Sequence, residues 1–234
     1  MKPKSNLITN FFLYFLVLFP SYIFSQNPKE IITKVNQQFA KINDYSAAIS
    51  MQFDIPSVRL EKISGKVFYK KPNKFRIKTQ GIIFLPKQNP YFALAALLDT
   101  NSYTAVLGEE EKINTALTTI ITILPNKESD LIIGKFWIDK SKSLIIKSQL
   151  TTRSNGTLQM ENFYGINNSF ALPEKMTFTL DVTKFKVPKA IAVDINSKTK
   201  TKTDGSKKGI GTIQFLFSNY QINKKISDTV FTDN

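Results

Sequence analysis

The 234-residue chain contains no cysteine and no histidine, a single tryptophan and only nine glycines. Without cysteine there is neither disulfide nor thiolate chemistry, so packing alone has to hold the fold. Without histidine the Ser-His and Cys-His nucleophile systems are gone, and the loss of both residue types removes the usual zinc ligands. No Gly-x-Ser-x-Gly elbow and no glycine-rich phosphate loop is present. Glycoside chemistry needs only two carboxylates about 5–10 Å apart, but the 18 acidic residues offer no compelling pair. Glu109, Glu110 and Glu111 read as a run in a turn before a helix, where acids complement the helix dipole. The expectation is a protein with no catalytic residue, no metal site and no cofactor, and not an enzyme.

Negative charge and long apolar runs are also in short supply. Lysine plus arginine is 32, and the formal net charge is +14. The unbroken apolar run at 11–19 follows Lys2 and Lys4, and Pro20, Ser21 and a small residue, Ser25, come after it. That is the order of a secretory signal peptide. A retained membrane anchor is the alternative, but the run is short of the ~20 residues a spanning helix needs, and Pro20 interrupts it. Residues 1–25 are therefore read as a signal peptide cleaved before Gln26, and 26–234 as a single soluble domain with no cysteine to acylate. Cleavage removes two lysines and no acid, leaving a net charge of about +12. Such an excess favours anionic partners such as a membrane surface, an acidic glycolipid or nucleic acid, and export argues against the last of these. The scattered lysines equally fit a merely basic surface.

Periodicity then organises the chain. Residues 28–43 carry Ile31, Ile32, Val35, Phe39 and Ile42 at helical spacing, with Pro28 in the first turn. Over 45–55 every odd residue is apolar, the mark of a long strand with one buried face. Gly65 to Lys78 reads GKVFYKKPNKFRIK. Val67, Tyr69 and Lys71 alternate with Lys66, Phe68 and Lys70; after Pro72-Asn73, Phe75 and Ile77 alternate with Lys74, Arg76 and Lys78. This is a hairpin with an apolar and a wet face, turning through a type I corner. Further strands are expected at 102–107, 131–139, 143–152, 156–164, 175–182, 189–196 and 210–220, making about ten in a meander. A second helix is expected over 112–124, where Ile113, Ala116, Leu117, Ile120, Ile121 and Leu124 recur at helical spacing, and a short helical segment at 91–98. Residues 197–209, SKTKTKTDGSKKG, form a basic low-complexity loop.

The Gly-x-hydrophobic-aromatic-hydrophobic strand, the basic pair, Pro-Asn and x-Phe-x-hydrophobic together resemble the hairpin of the periplasmic lipoprotein carriers, the LolA-like family. Phe136-Trp137-Ile138-Asp139, then Asn155-Gly156-Thr157 and Leu172-Pro173-Glu174-Lys175-Met176, are similar to the second half of family members. The resemblance implies a mainly β (α+β) fold: a strongly curved antiparallel sheet forming an unclosed half-barrel, with helices covering its concave apolar face. It implies a monomeric periplasmic carrier or chaperone that shields the acyl chains of lipoproteins or lipids on the way to the outer membrane. An inner-membrane releasing complex and an outer-membrane acceptor would be its partners. A sensor of the same fold that reads lipid and signals to a partner, or an interaction protein whose basic loop at 197–209 binds an anionic surface, are the competing readings.

The expected cargo cavity is lined by Ile49, Met51, Phe53, Val67, Tyr69, Phe75 and Ile77, with Phe92, Leu117 and Ile121 on the helices above it. For each of these, plain core packing is an equal reading. Phe75 takes the family's aromatic position two residues after Asn, a rim or docking position by resemblance. The family's functional arginine falls on Lys71, a point charge where a guanidinium fork would hold several lid carbonyls, so the family's latch is not carried over intact; Lys71 is read as a candidate lid latch or, equally, a solvated turn residue. The apolar segment 81–98 has no clear family counterpart and reads as an extra lid, a cavity plug or a core helix.

Overall fold

The computed structural model describes residues 27–55, 61–72, 74–79, 97–154, 156–181 and 209–232. The expected signal peptide, Phe92, most of 81–98, the strand expected at 189–196 and nearly all of the basic loop lie outside those residues. Helix α1 (Pro28–Ala40) starts where the Asn27 side chain accepts a hydrogen bond from the Lys29 amide and Pro28 supplies a pre-set φ at the first position. Its stripe of Ile31, Ile32, Val35 and Phe39 is buried. It stops three residues before the expected end because the backbone there has other partners. Asn43 N–H donates to Asn223 Oδ1 at 2.7 Å, and Asn223 Nδ2 donates to Lys41 O at 3.0 Å.

Ten antiparallel strands follow: β1 (Asp44–Asp54), β2 (Ile63–Lys70), β3 (Lys74–Thr79), β4 (Tyr103–Ile113), β5 (Ala116–Pro125), β6 (Leu131–Asp139), β7 (Leu144–Thr152), β8 (Gly156–Phe163), β9 (Lys175–Asp181) and β10 (Ile210–Ile222). They form one sheet in the order β3-β2-β1-β10-β9-β8-β7-β6-β5-β4. The meander is thus interrupted once. β10 returns to pair with β1, and the consecutive strands β3 and β4 become opposite edges of a sheet that does not close.

The expected helix over 112–124 is instead the end of β4 and all of β5. Thr118 to Ile123 are six consecutive β-branched residues, which are stiff in a helix and pack well on a pleated surface. Asn114, at φ 53°, turns β4 into β5 with Ile113 facing Ala116. The acidic run Glu109–Glu111 accordingly sits in β4 rather than before a helix. In the β2–β3 hairpin the Lys71–Pro72 peptide is cis, not the expected type I corner, and Lys70 faces Lys74. A side chain at Gly65 would overlap the Lys78 carbonyl, so the edge strand approaches this closely only because glycine is there.

Buried residues from β2, such as Val67 and Tyr69, share a single core with Tyr103 of β4. On a flat sheet those strands would lie eight spacings apart, or roughly 38 Å. The sheet must therefore curl, with α1 inside the curl. Among the described residues no helix is long and apolar enough to cross a membrane.

One end of the sheet is closed by polar contacts. The chain after β10 runs beside the β2–β3 hairpin, where Lys70 Nζ reaches Asp228 at 2.7 Å and Lys74 Nζ reaches it at 3.1 Å. Lys70 also donates to Ile226 O at 2.9 Å, and an Arg76 guanidinium nitrogen donates to Thr232 O at 2.6 Å. Hydrogen bonds from Lys70, then Lys74, hold the Asp228 carboxyl below its ordinary value of 3.8. A depressed carboxylate stabilises above its unfolded pKa and stops doing so as pH falls through its folded one. Acidification below the ordinary carboxylate range should therefore loosen this tail first. Amide exchange at Val230 and Phe231 should quicken there, and Asp228→Asn should reproduce the effect at neutral pH. Exchange unaffected by either change would show that Asp228 does not hold the tail.

Candidate functional site

The concave face is built by alternation. On β1 the inward residues are Tyr45, Ala47, Ile49, Met51 and Phe53; β2 adds Val67 and Tyr69, and β3 adds Phe75 and Ile77. On the other side of β1, Ile213, Phe215 and Phe217 of β10 face Phe53, Met51 and Ile49. Aromatic rings run continuously across this floor. Phe39 of α1 meets Tyr69, and Tyr69 stacks on Tyr45, both at 5.5 Å between centroids. Tyr45 then meets Tyr220 at 5.7 Å, Tyr220 meets Phe217, Phe217 meets Phe215, and Phe215 meets Phe178 edge-on at 5.1 Å.

Burial divides the expected lining into two groups. Ile49, Met51, Val67, Tyr69 and Ile121 are buried, whereas Phe53, Phe75 and Ile77 are partly exposed. Ile121 is on strand β5 rather than a lid helix, and it lies in the floor between Leu107 and Phe136. Leu117 is a correction: with the expected helix replaced by a strand, its side chain stands 58 % exposed near the β4–β5 turn and lines nothing. Phe92 lies outside the described residues. Sequence reasoning missed Ile213, Phe215, Phe217 and Phe178, although 213, 215 and 217 alternate as plainly as β1 does. Nothing local indicated that β10 would pair with β1.

The partly buried apolar residues lie toward both ends of the sheet: Phe75, Phe170, Tyr220 and Ile222 toward the end that bears the β2–β3 turn, and the others toward the opposite one. Phe53 and Ile55 at the end of β1, Ile63 at the start of β2, Ile77 near the end of β3, Ala105 of β4, Leu131 of β6 and Leu158 of β8 all belong to one end of the sheet. The opposite end holds the β2–β3, β4–β5 and β6–β7 turns, the chain after β10 and the C-terminus of α1. Polar groups bond the end with Phe53 and Ile63 as well, with Ser154 on Asp130 and Arg153 Nε on Ser129 O. α1 covers only part of it: 13 residues make a helix about 20 Å long, whereas the arc of ten strands is roughly 43 Å.

Polar groups at both ends of the sheet tie segments together. Lys71 Nζ donates to Ala40 O at 2.6 Å, and the Lys71 amide donates to Asn43 O at 2.9 Å. An ammonium on the last carbonyls of a helix satisfies an orphan acceptor and suits the helix dipole. The α1 flank is held by Asn36 Nδ2 to Leu97 O at 2.9 Å. Tyr103, Tyr164 and Tyr220 donate their hydroxyls to the carbonyls of Leu97, Ile145 and Pro173. Burial raises the Tyr164 and Tyr220 pKa values; burial and then Asp99 push Tyr103 up to about 12. These phenols stay neutral donors. Among the described residues no group of three carboxylates is placed to hold a metal.

Three solved structures share this architecture. A DUF1329 family protein from Desulfovibrio piger superposes with a TM-score of 0.54 at 10 % identity, covering 88 % of this chain and 98 % of that one. A LolA superfamily protein from Nitrosomonas europaea gives 0.54 at 11 %, over 89 % and 99 %. A protein domain described as outer membrane lipoprotein-sorting, from Vibrio parahaemolyticus, gives 0.52 at 10 %, over 88 % and 96 %. The chain shares the fold of these three structures. No protein-family model and no curated protein matches the chain. At such low identities the likeness is one of architecture: the curled, unclosed sheet with a helix on its apolar face.

The strand assignment of 116–125 separates two leucine-sized side chains that helical spacing had grouped. Ile121→Ala should cost about 2–5 kcal/mol, the range for a buried aliphatic truncation. Leu117→Ala should change stability by less than about 0.5 kcal/mol. Urea midpoints of the two variants decide it; equal losses would mean that both side chains are core.

Proposed function

We propose that this chain is a periplasmic carrier that shields the acyl chains of lipoproteins or lipids on its concave face during transfer toward the outer membrane, without modifying them. The observation that carries this reading is the mismatch between a ten-strand apolar face and a single described helix, which leaves apolar residues such as Phe53, Ile63 and Ile77 partly exposed. The shared LolA-superfamily architecture supports it. Each methylene moved out of water contributes about 0.8 kcal/mol, so even one long acyl chain has a large drive to enter such a face. Release then requires that protein groups compete for the same surface, and α1 is the described element placed to do so.

The direct test is native mass spectrometry of protein purified from the periplasm. Co-purifying acylated protein is the expected result. Free lipid would favour a lipid-binding or sensing module, and an empty protein would overturn carriage. Phe53→Glu, which places a charge at a partly exposed position of that face, should leave the protein folded and reduce uptake of a fluorescent acyl probe about tenfold or more. Unchanged uptake by the folded variant would remove Phe53 from the lining.

Lys71 is the proposed latch of α1. Lys71→Leu removes the contact to Ala40 O, worth about 1 kcal/mol, while leaving the apolar wall intact. It should change acyl-probe release more than the thermal midpoint. Lys71→Arg should slow exchange, because a guanidinium fork can hold more than one carbonyl. Identical off-rates for the three proteins would reduce Lys71 to a turn residue.

A further inference from the structure

The outer face of the β2–β3 hairpin plays no part in the concave site, and its charge pattern is costly. Register places Lys66 directly opposite Lys78, Phe68 opposite Arg76, and Lys70 opposite Lys74. Because Val67, Tyr69, Phe75 and Ile77 point inward, all five cations share the outer face. Like charges in direct cross-strand opposition destabilise a sheet, yet two of the three rungs are lysine on lysine. Three of them are engaged by the chain after β10: Asp228 spans Lys70 and Lys74 at the closed end, and Arg76 donates to Thr232 O. At the other end of the hairpin, Lys66 and Lys78 flank the half-buried Phe68 ring, their ammonium groups 5.5 and 6.0 Å from its centroid.

β3 is also an edge of the sheet. Away from the chain after β10, the hairpin offers two exposed lysines, Lys66 and Lys78, on either side of an aromatic ring. From this arrangement we propose that the outer face of β2–β3 docks the protein onto an anionic phospholipid surface. Both charges beside Phe68 are lysines, and an ammonium acts as a point charge that suits a diffuse layer of phosphates, whereas carboxylate forks on an acidic protein favour arginine. Phe68 lies where a ring can enter the headgroup region while the lysine stems lie along it. The surface is separate from the concave face, so this inference holds or fails independently of acyl-chain carriage.

The test is flotation of the mature protein with vesicles of phosphatidylcholine alone or mixed with phosphatidylglycerol. Binding to the mixed vesicles should exceed binding to neutral ones by roughly tenfold, and should fall as salt rises from about 0.05 M to about 0.5 M. Lys66→Gln with Lys78→Gln should lose most of that preference. The same double variant should keep or raise the thermal midpoint, since it removes a repulsive rung, and should take up acyl probe as before in vesicle-free solution. Should the double variant fold poorly, Lys78→Gln alone on the edge strand gives the same reading. A variant with Lys198, Lys200, Lys202, Lys207 and Lys208 changed to Gln should still bind. Absence of any preference for anionic vesicles would overturn the proposal, even if an acidic protein were bound instead. So would a loss confined to the 198–208 variant.

Discussion

The pairing of β1 with β10 is the constraint from which the rest of the architecture follows. It joins two runs of hairpin-linked strands, β1 to β3 and β4 to β10, into one ten-strand sheet. It lays Ile49, Met51 and Phe53 against Phe217, Phe215 and Ile213, so the apolar stripes of the two runs become one face. A face that large cannot stay open to water, and the response is a curl that brings β2, β4 and α1 around a common core. Because β10 occupies the place beside β1, the strands consecutive in the chain at β3 and β4 are left as edges.

The two ends of the curled sheet are finished by different sets of contacts. At the end bearing the β2–β3 turn, backbone and side-chain groups are consumed in a local network. Asp44 accepts from the amides of Lys224 and Lys225, Asn223 ties Lys41 to Asn43, and Asp228 takes Lys70 and Lys74. Asp139 likewise holds the β6–β7 turn by accepting from Ser141 and Lys142. At the other end Phe53, Ile55, Ile63 and Ile77 are only partly covered, and Arg153 and Ser154 bond the turns through Ser129 and Asp130. Hydrogen bonds are directional and specify one geometry, while apolar contact is not.

Charge is divided unequally between the faces of the sheet. The concave face carries almost none, and its phenols are kept neutral by burial. The hairpin's outer face concentrates it, at the expense of cross-strand repulsion between Lys66 and Lys78. Lys71 stands between these two regimes. Its stem follows the inward parity of Val67 and Tyr69, and its ammonium ends on the Ala40 carbonyl, so one residue of the hairpin bears directly on the helix over the apolar floor.

Much of this was legible in the residues themselves. Period-two alternation over 45–55, the hairpin from Gly65 to Lys78, and the strands Leu131–Asp139 and Leu144–Thr152 carry their inward and outward faces in a few adjacent positions. The missing histidine and cysteine likewise excluded whole classes of chemistry without any structure. The residues near 116–125 were misread because Ile113, Leu117, Ile120 and Ile121 satisfy a helical period by coincidence, while the β-branched run that favours a strand has meaning only beside β4 and β6. Whether Leu117 or Ile121 is buried, which strand takes β10, and which carbonyl receives Lys71 were decided only by the tertiary structure. Alternation is encoded within one segment, but partner choice between segments some 170 residues apart depends on which closure buries the most apolar surface in register, and no local window contains that comparison.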